Sequence, residues 1–373
     1  MPLSPREREV LTLLRAQPLL DAAGLARRLG TSKGAIAVVL SSLTQKGEIV
    51  GRGYLLRSDP WAVVIGGAAW DIKARSSAPA RLGTSNPGSV TRAPGGVGRN
   101  IAEGIARLGG QVHLIAAIGS DPAGRELLDR TAEAGVQVDR VVTSAHPTGS
   151  YLAALDANGE LVIGLSDFAA TDALTVAALV RSQDLLGNAA VLVIDGNIPA
   201  AVVEWLLAVA AAAGARVVLE PVSVAKAGRL APLLDGQRPV FAVTPNLDEL
   251  GVLVGRAVVG TEDGIAAAAA ELHDRGVEHV WVSRGSSGSL LVSRGDPAPH
   301  RLAATPRDVV DVTGAGDAMT AGFVRGLLAG ETPVRAASLG QFVAALTVES
   351  EFAVRPDLGV AIAAFPRDPE GVR

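Results

Sequence analysis

Six short apolar runs, "WAVVIGG", "QVHLIAAIG", "AVLVIDG", "ARVVLEP", "PVFAVTPN" and "HVWVSRG", succeed one another between Trp61 and Gly285, mostly separated by helix-length stretches. A strand that is apolar at every position has no side to turn to water, so these runs must be covered on both faces. That requirement predicts an α/β fold with a largely parallel sheet and helical crossovers. Ligands in such sheets collect beyond the carboxyl ends of the strands. Polar residues do follow the runs, namely Asp71, Asn197, Asn246, Arg284 and Asp317.

Residues 311–323 read "DVTGAGDAMTAGF". Glycine ahead of a helix lets the backbone turn tightly and leaves the first N–H groups free to bind an anion. Asp317 is the odd member, because a carboxylate there repels the anion unless it takes a proton from whatever attacks that anion. The combination points to phosphoryl transfer, and the plainer alternative is an aspartate that caps a helix. Residues 74–94, "ARSSAPARLGTSNPGSVTRAP", are polar and rich in Gly, Pro and Ser. Placed between the first strand and the glycine-rich "PGGVGRN", this segment reads as a lid over the site.

Two stretches, "GGVGRNIAEGIARLGGQVHLIAAIGSDPAG" at 95–124 and "DVTGAGDAMTAGFVRGLL" at 311–328, with "TPNLDEL" between them, resemble the ribokinase-like carbohydrate and nucleoside kinases, the pfkB family. The resemblance spans about residues 61–365. It implies a ribokinase-like three-layer α/β/α sandwich with a small β lid, and ATP and Mg²⁺ as cofactors. K⁺, which family members often bind near the anion loop through backbone carbonyls, is an open addition.

Carried over residue by residue, the family pattern makes Asp317 the catalytic base, with the N–H groups of Gly314, Ala315, Gly316 and Asp317 itself around the transferred phosphoryl group. Asn246 and Glu249 match its N-x-x-E motif and would order water around Mg²⁺, Glu249 acting on the metal through water; they equally suit a capping pair. Ser283, Gly285 and Gly288 match the stretch lining the nucleotide phosphates, where Arg284 would add charge, although "SRGSSG" alone is only a glycine turn. On the acceptor side Asp71 would bind ribose hydroxyls, Gly95 and Gly96 would admit backbone to the sugar, and Asn100 and Asn197 would contact it. Asp71 could instead be a turn aspartate.

Within the family, "GGAAWDIK", "GTSNPG", "PGGVGRNIAE" and "SYLAALDANGELVIGLSDF" look like pseudouridine kinases, which phosphorylate the 5′-hydroxyl of a C-nucleoside. Thr84, Ser85 and Asn86 in the lid would then read the base, though "TSNPG" is also a good turn sequence. One departure bears on the acceptor. Those kinases commonly show "GGAN", whereas Ala69 stands here in place of the Asn, followed by Trp70. Ribose or another ribonucleoside is the alternative acceptor.

The charge is uneven. Residues 1–58 hold nine Lys/Arg against four acids, a net +5, leaving −9 for the rest of a chain whose total is −4. Val10, Leu11, Leu13 and Leu14 share a helix face; "DAAGLARRLG" and "TSKGAIAVVLSSLTQKGE" follow as helix, glycine turn and helix, then "IVGRGYLLR" as a two-stranded wing. This resembles a winged helix-turn-helix over about residues 5–57. In that motif Ser32 and Lys33 would lead the helix entering the major groove, with Arg28 and Arg52 near the DNA backbone. A basic face kept for dimerisation or merely solvated is the alternative.

Two domains are therefore expected, 1–58 and 59–373. A homodimer is expected too, because winged helices often read paired half-sites and family lids often pair. A transcriptional regulator using a kinase-like domain as sugar or nucleoside sensor is the rival of a different class. The chain has no Cys, which excludes disulfides and thiolate metal sites, and its five His show no ligand-like spacing. The most apolar stretch, "VVEWLLAVAAAAGARVVL", is broken by Glu204, Gly214 and Arg216. A soluble cytoplasmic protein without membrane contact is expected.

Overall fold

The structure, a computed structural model, describes residues 3–50, 59–296, 298–305 and 307–366. In chain order its strands are β1 (Trp61–Ile65), β2 (Ala69–Ser76), β3 (Gly88–Gly95), β4 (Gln111–Ile115), β5 (Ala117–Gly119), β6 (Val142–Ser144), β7 (Gly149–Leu155), β8 (Leu161–Asp167), β9 (Val191–Asp195), β10 (Arg216–Glu220), β11 (Val240–Val243), β12 (Val277–Ser283), β13 (Ser289–Ser293) and β14 (His300–Leu302). Eight of them form the main sheet in the order β14-β13-β12-β11-β10-β9-β1-β4. It is parallel from β4 to β12, and β13 and β14 are added antiparallel at one edge.

Alternation along the strands explains the two outer layers. On β1, Val63 and Ile65 enter one core, with Leu206, Leu250 and Ile265 from the helices Ala200–Ala213, Leu247–Val254 and Glu262–Asp274. Ala62 and Val64 enter the other, with Ile101, Phe323 and Ala337 from the helices Val97–Arg107, Ala315–Leu328 and Pro333–Thr347. The last two helices approach very closely: a Cβ on Gly322 would sit 2.7 Å from Gly340 Cα. The small residues after "TGAGD" thus serve helix–helix contact, which holds the Asp317 helix against the sheet.

A second sheet, ordered β3-β2-β7-β8, stands apart from the main one. The segment expected as a lid over 74–94 supplies only part of it. β2 begins at Ala69, β3 runs to Gly95, and β7 and β8 come from residues 149–167, more than fifty positions further on. Local polarity could not show that pairing. Facing rows across this sheet place Ala93, Asp71, Tyr151 and Ser166 on one side, and Val90, Ala74, Ala154 and Ile163 on the other.

The chain folds as two compact units, Met1–Asp59 and Pro60–Arg373. The smaller contains helices Pro5–Ala16, Ala22–Arg28 and Lys33–Gln45 around Val10, Leu14, Leu25, Ile36 and Leu43. Glu7 is buried within it, closing a capping box with Ser4 and accepting from Ser42 and Lys46. The Lys46 ammonium, then the Ser4 N–H and the Ser42 hydroxyl, hold its carboxyl well below the usual range. Ser32 caps the third helix, accepting from the Ala35 N–H at 3.1 Å, while Lys33 and Arg28 are exposed. The expected wing beyond Ile49 and Val50, Arg52 included, falls outside the described residues. Among the described residues no helix is long and apolar enough to cross a membrane.

Candidate active site

The carboxyl ends of β1, β9, β10, β11 and β12 open toward the N-termini of the Val97–Arg107 and Ala315–Leu328 helices. Gly314 precedes the latter in the left-handed region (φ 81°), and a Cβ there would overlap the Ala353 carbonyl. Only glycine fits that position. The Ala315 N–H is already taken by the Val312 carbonyl at 3.2 Å. Of the N–H groups expected to face an anion, those of Gly314, Gly316 and Asp317 find no backbone acceptor among the described residues.

Asp317 lies in the first turn, half-buried, and accepts a hydrogen bond from Asn100 Nδ2 at 2.7 Å. Asn100 comes from the first turn of the facing helix, so two residues 217 positions apart meet at one carboxylate. Burial is the main force on the Asp317 proton. With the negative charges of Asp195 and Asp71 it outweighs Asn100 and Arg99 and pushes the pKa up to about 7.

Asp71 projects from β2 on the row that continues through Tyr151 and Ser166. Burial raises its pKa, against the pull of Arg99 and Lys73. Gly95 was expected to let backbone approach a sugar, but a Cβ at Gly95 would overlap the Asp71 carboxylate itself. Gly95 therefore makes room for the acid. Gly96 (φ 91°) turns the chain into the helix, and a Cβ there would lie 2.6 Å from the Gly67 carbonyl.

Asn197 follows β9. Its Oδ1 accepts from Lys226 Nζ, and its buried Nδ2 has no partner among the described residues. Beside it opens a cavity of about 310 Å³ walled by Ser166, Phe168 and Lys226. Lys226 Nζ sits 5.2 Å from the Phe168 ring centroid, and burial lowers its pKa.

On the other side of Asp317 a cavity of about 540 Å³ is walled by Ala315, Gly316, Ser283, Gly285 and Gly288. Gly288 (φ 82°) has no room for a Cβ, which would overlap the Leu302 carbonyl. Arg284 is not among the cavity's walls; its guanidinium turns to the Ser287 carbonyl at 3.4 Å. Asn246 and Glu249 form the capping pair, each side chain taking the other's N–H at 2.9 Å, and burial raises the Glu249 pKa.

Thr84, Ser85 and Asn86 are not brought to this site. They lie in the loop between β2 and β3, where Asn86 spends its amide on Arg81 and Thr84. Thr84 and Asn86 line a groove with Val90 and Ile163, on the side of the small sheet opposite Asp71. The sequence pattern "TSNPG" marks a turn, and a turn at the far end of a hairpin is what it builds.

Three residues escaped the sequence reading. Asp195, fully buried at the end of β9, accepts from the Gly67 and Gly98 N–H groups, both at 2.8 Å, and so pins the turn after β1 to the head of the Asn100 helix. Glu220 ends β10, accepting from Thr244 (2.6 Å) and Thr320 (3.1 Å), and burial first, then Asp317 and Glu249, push its pKa up to about 8. Two positions on, Val222 adopts φ 71°, strained for a β-branched residue and worth roughly 1–3 kcal/mol. Arg99 is only 1% exposed amid these acids. A strand-ending acid, as in "VIDG" and "VLEP", was the available signal for the first two.

The sequence profile of the pfkB family carbohydrate kinases matches residues 61–357. The uncharacterized sugar kinase YeiI of Escherichia coli strain K12 is 34% identical over 326 residues, covering 87% of this chain and 88% of its own. The pseudouridine kinase of the same organism is 33% identical over 311 residues, covering 82% and 96%. Among solved structures, Arabidopsis thaliana ribokinase complexed with ribose and ATP superposes with a TM-score of 0.72 at 24% identity, covering 83% of this chain and all of its own, a likeness of fold.

The raised Asp317 pKa has a stability consequence. Between about pH 4 and 7 the folded state keeps a proton that the unfolded chain releases, so stability falls as pH rises through that window and the loss is complete above it. Asp317→Asn is expected to unfold at higher temperature than the parent at pH 8, with the gap closing toward pH 4. Equal midpoints at both pH values would contradict the assigned environment.

Proposed function

Because the chain belongs to the pfkB family of carbohydrate kinases, we propose that it transfers the γ-phosphoryl group of ATP to the 5′-hydroxyl of a nucleoside, pseudouridine first among them. The observation that carries this is the Asp317–Asn100 pair at the head of a helix with free N–H groups. The hydroxyl oxygen bonds to the γ-phosphorus as the bond to the ADP oxygen breaks, and the hydroxyl proton passes to Asp317. The Gly316 and Asp317 N–H groups and the helix dipole meet the charge on the phosphoryl oxygens. Glu249 would hold, through water, the Mg²⁺ that accompanies the nucleotide, a hard, hydrated cation that would supply neutralisation of phosphate charge. Ser283, Gly285 and Gly288 would line the nucleotide.

The nucleoside reading rests on the small sheet. Its row from Asp71 through Tyr151 to Ser166 leads to the Phe168–Lys226 cavity, where an aromatic face and a donor suit a ring bearing carbonyl oxygens. The row spans roughly 10 Å at the usual strand spacing, about a nucleoside's length. Asp71 would take the ribose hydroxyls, with Asn100 and Asn197 along the sugar. Such acceptors and ATP are cytoplasmic solutes, and we place the protein there. Released ADP should be measured with pseudouridine, uridine, inosine and ribose, with and without K⁺. We expect pseudouridine to be preferred, and kcat/KM to rise about tenfold per pH unit up to an apparent pKa near 7, because Asp317 must be ionised to accept the proton. Preference for ribose would discard the nucleoside, and no turnover of any acceptor would favour the sensor.

The outer row of the small sheet, with Val90 71% and Ile163 50% exposed, is an apolar surface that a second copy would cover. Sedimentation velocity at micromolar protein should give a dimer that Ile163→Glu splits; a monomeric parent removes the proposal. In the smaller unit the exposed Lys33, Gly34 and Val38 face of the third helix suits a major groove. A gel shift on the gene's upstream DNA over a salt series should detect specific binding that Lys33→Ala weakens, whereas purely non-specific binding would retire the regulatory role.

A further inference from the structure

Arg99 is the fully buried cation of the site, and each of its nitrogens is engaged. Nε donates to the Gly95 carbonyl at 3.0 Å, Nη2 to the Pro94 carbonyl at 3.1 Å and to Asn100 Oδ1, and Nη1 to Glu103. Glu103 in turn receives Arg107 Nε at 2.6 Å. An arginine has five donors and no acceptor. The atom of Asn100 that faces it must therefore be the amide oxygen, which leaves the NH₂ group, and not the oxygen, to face Asp317. Without that constraint the amide is free to turn over and set its oxygen against the carboxylate. The same guanidinium holds two carbonyls at the end of β3, so the strand of the small sheet carrying Gly95 and the head of the Asn100 helix are joined through one side chain.

We propose that Arg99 is a positioning residue for the base: it fixes the orientation of the Asn100 amide toward Asp317 and ties that orientation to the small sheet's β3 strand. The proposal rests on the reading of Asp317 as base. The groups facing Asp317 are Asp71 from β2, Asp195 from the end of β9, Glu220 from the end of β10, and Asn100 and Arg99 from the helix. Three of these are acids, and Arg99 supplies positive charge. Asn100 donates the hydrogen bond that favours the ionised carboxylate. Removing Arg99 withdraws its charge and frees the amide, and both changes hold the proton on Asp317 more tightly.

The test is the pH profile of kcat/KM for the full chain. In Arg99→Met the rising limb should move to higher pH by about one unit or more, a loss of about tenfold below neutrality that shrinks at high pH. A merely structural role would lower activity equally at every pH, and that result overturns the proposal. In Arg99→Met/Asn100→Ala the losses should be less than additive, because the part of the Arg99 effect that passes through the Asn100 amide is already gone, and fully additive losses count against it. Should Arg99→Met not fold, Arg99→Lys carries the test. It keeps the charge without the fork, so the limb should still move, and a profile identical with the parent's overturns the proposal. If the parent turns over no acceptor, the functional reading fails on its own account. The coupling is then read from unfolding: the pH at which the gap between Asp317→Asn and its parent stops widening should rise, and the final gap grow, in the Arg99→Met background, and an unmoved upper end overturns the proposal.

Discussion

Four carboxyl groups crowd together where strands end and helices begin: Asp71, Asp195, Glu220 and Asp317 all have raised pKa values, with burial the first cause in each. Burying one carboxylate without a partner is costly, and placing several within range of each other costs more. Much of the local architecture can be understood as the means of tolerating this. Asp195 is held by three backbone N–H groups, those of Gly67, Gly98 and Asn197, at 2.8 Å each. Glu220 is met by two threonine hydroxyls and a backbone N–H. Asp317 has an amide donor, and Asp71 lies near Arg99 and Lys73. Each acid is accommodated by a different set of groups, so their protons are held differently.

Glycine makes that crowding geometrically feasible. At Gly95 the missing Cβ leaves room for the Asp71 carboxylate, and at Gly66 for that of Asp195. In "PGGVGRN" the usual expectation of glycine near a site is closer approach to a ligand, yet here the space is filled by the protein's own acid. A similar economy appears between the helices, where Gly322 and Gly340 let two backbones touch and so press the Asp317 helix onto the sheet. The acid's position depends on contacts well removed from it in sequence.

This explains what was legible beforehand. The parallel sheet could be read because each strand states its burial locally, in a run with no polar face. Asp317 could be read because its oddity, a carboxylate at an anion turn, is contained within seven residues. Asn246 and Glu249 could be read as a pair, three residues apart, and the capping interaction they make is equally local. The small sheet could not, since β2 pairs with a strand some eighty residues later. Nor could Arg99, whose meaning lies in the carbonyls it grips and in the orientation it imposes on its neighbour. Thr84, Ser85 and Asn86 were drawn to the site by composition and kept from it by the hairpin's direction, which no local feature encodes.

The proton inventory of the acids completes the physical picture. With a pKa near 8, Glu220 is largely protonated at neutral pH, and Asp317, near 7, is divided between its two forms. A site with four acids therefore presents less negative charge to a nucleotide than its composition suggests, and the polyanion can approach. The threonine hydroxyls donate to Glu220 through one oxygen, so its remaining proton need not disturb them. Val222, strained at the next turn, donates its N–H to the other oxygen and keeps the acid where its neutrality matters. Neutral Glu220 next to a poised Asp317 follows the general pattern in which neighbouring titratable groups are pushed to different proton affinities, one to hold its proton and one to exchange it. In this fold that division arises from where β10 and the Asp317 helix end, and from how deeply each end is buried.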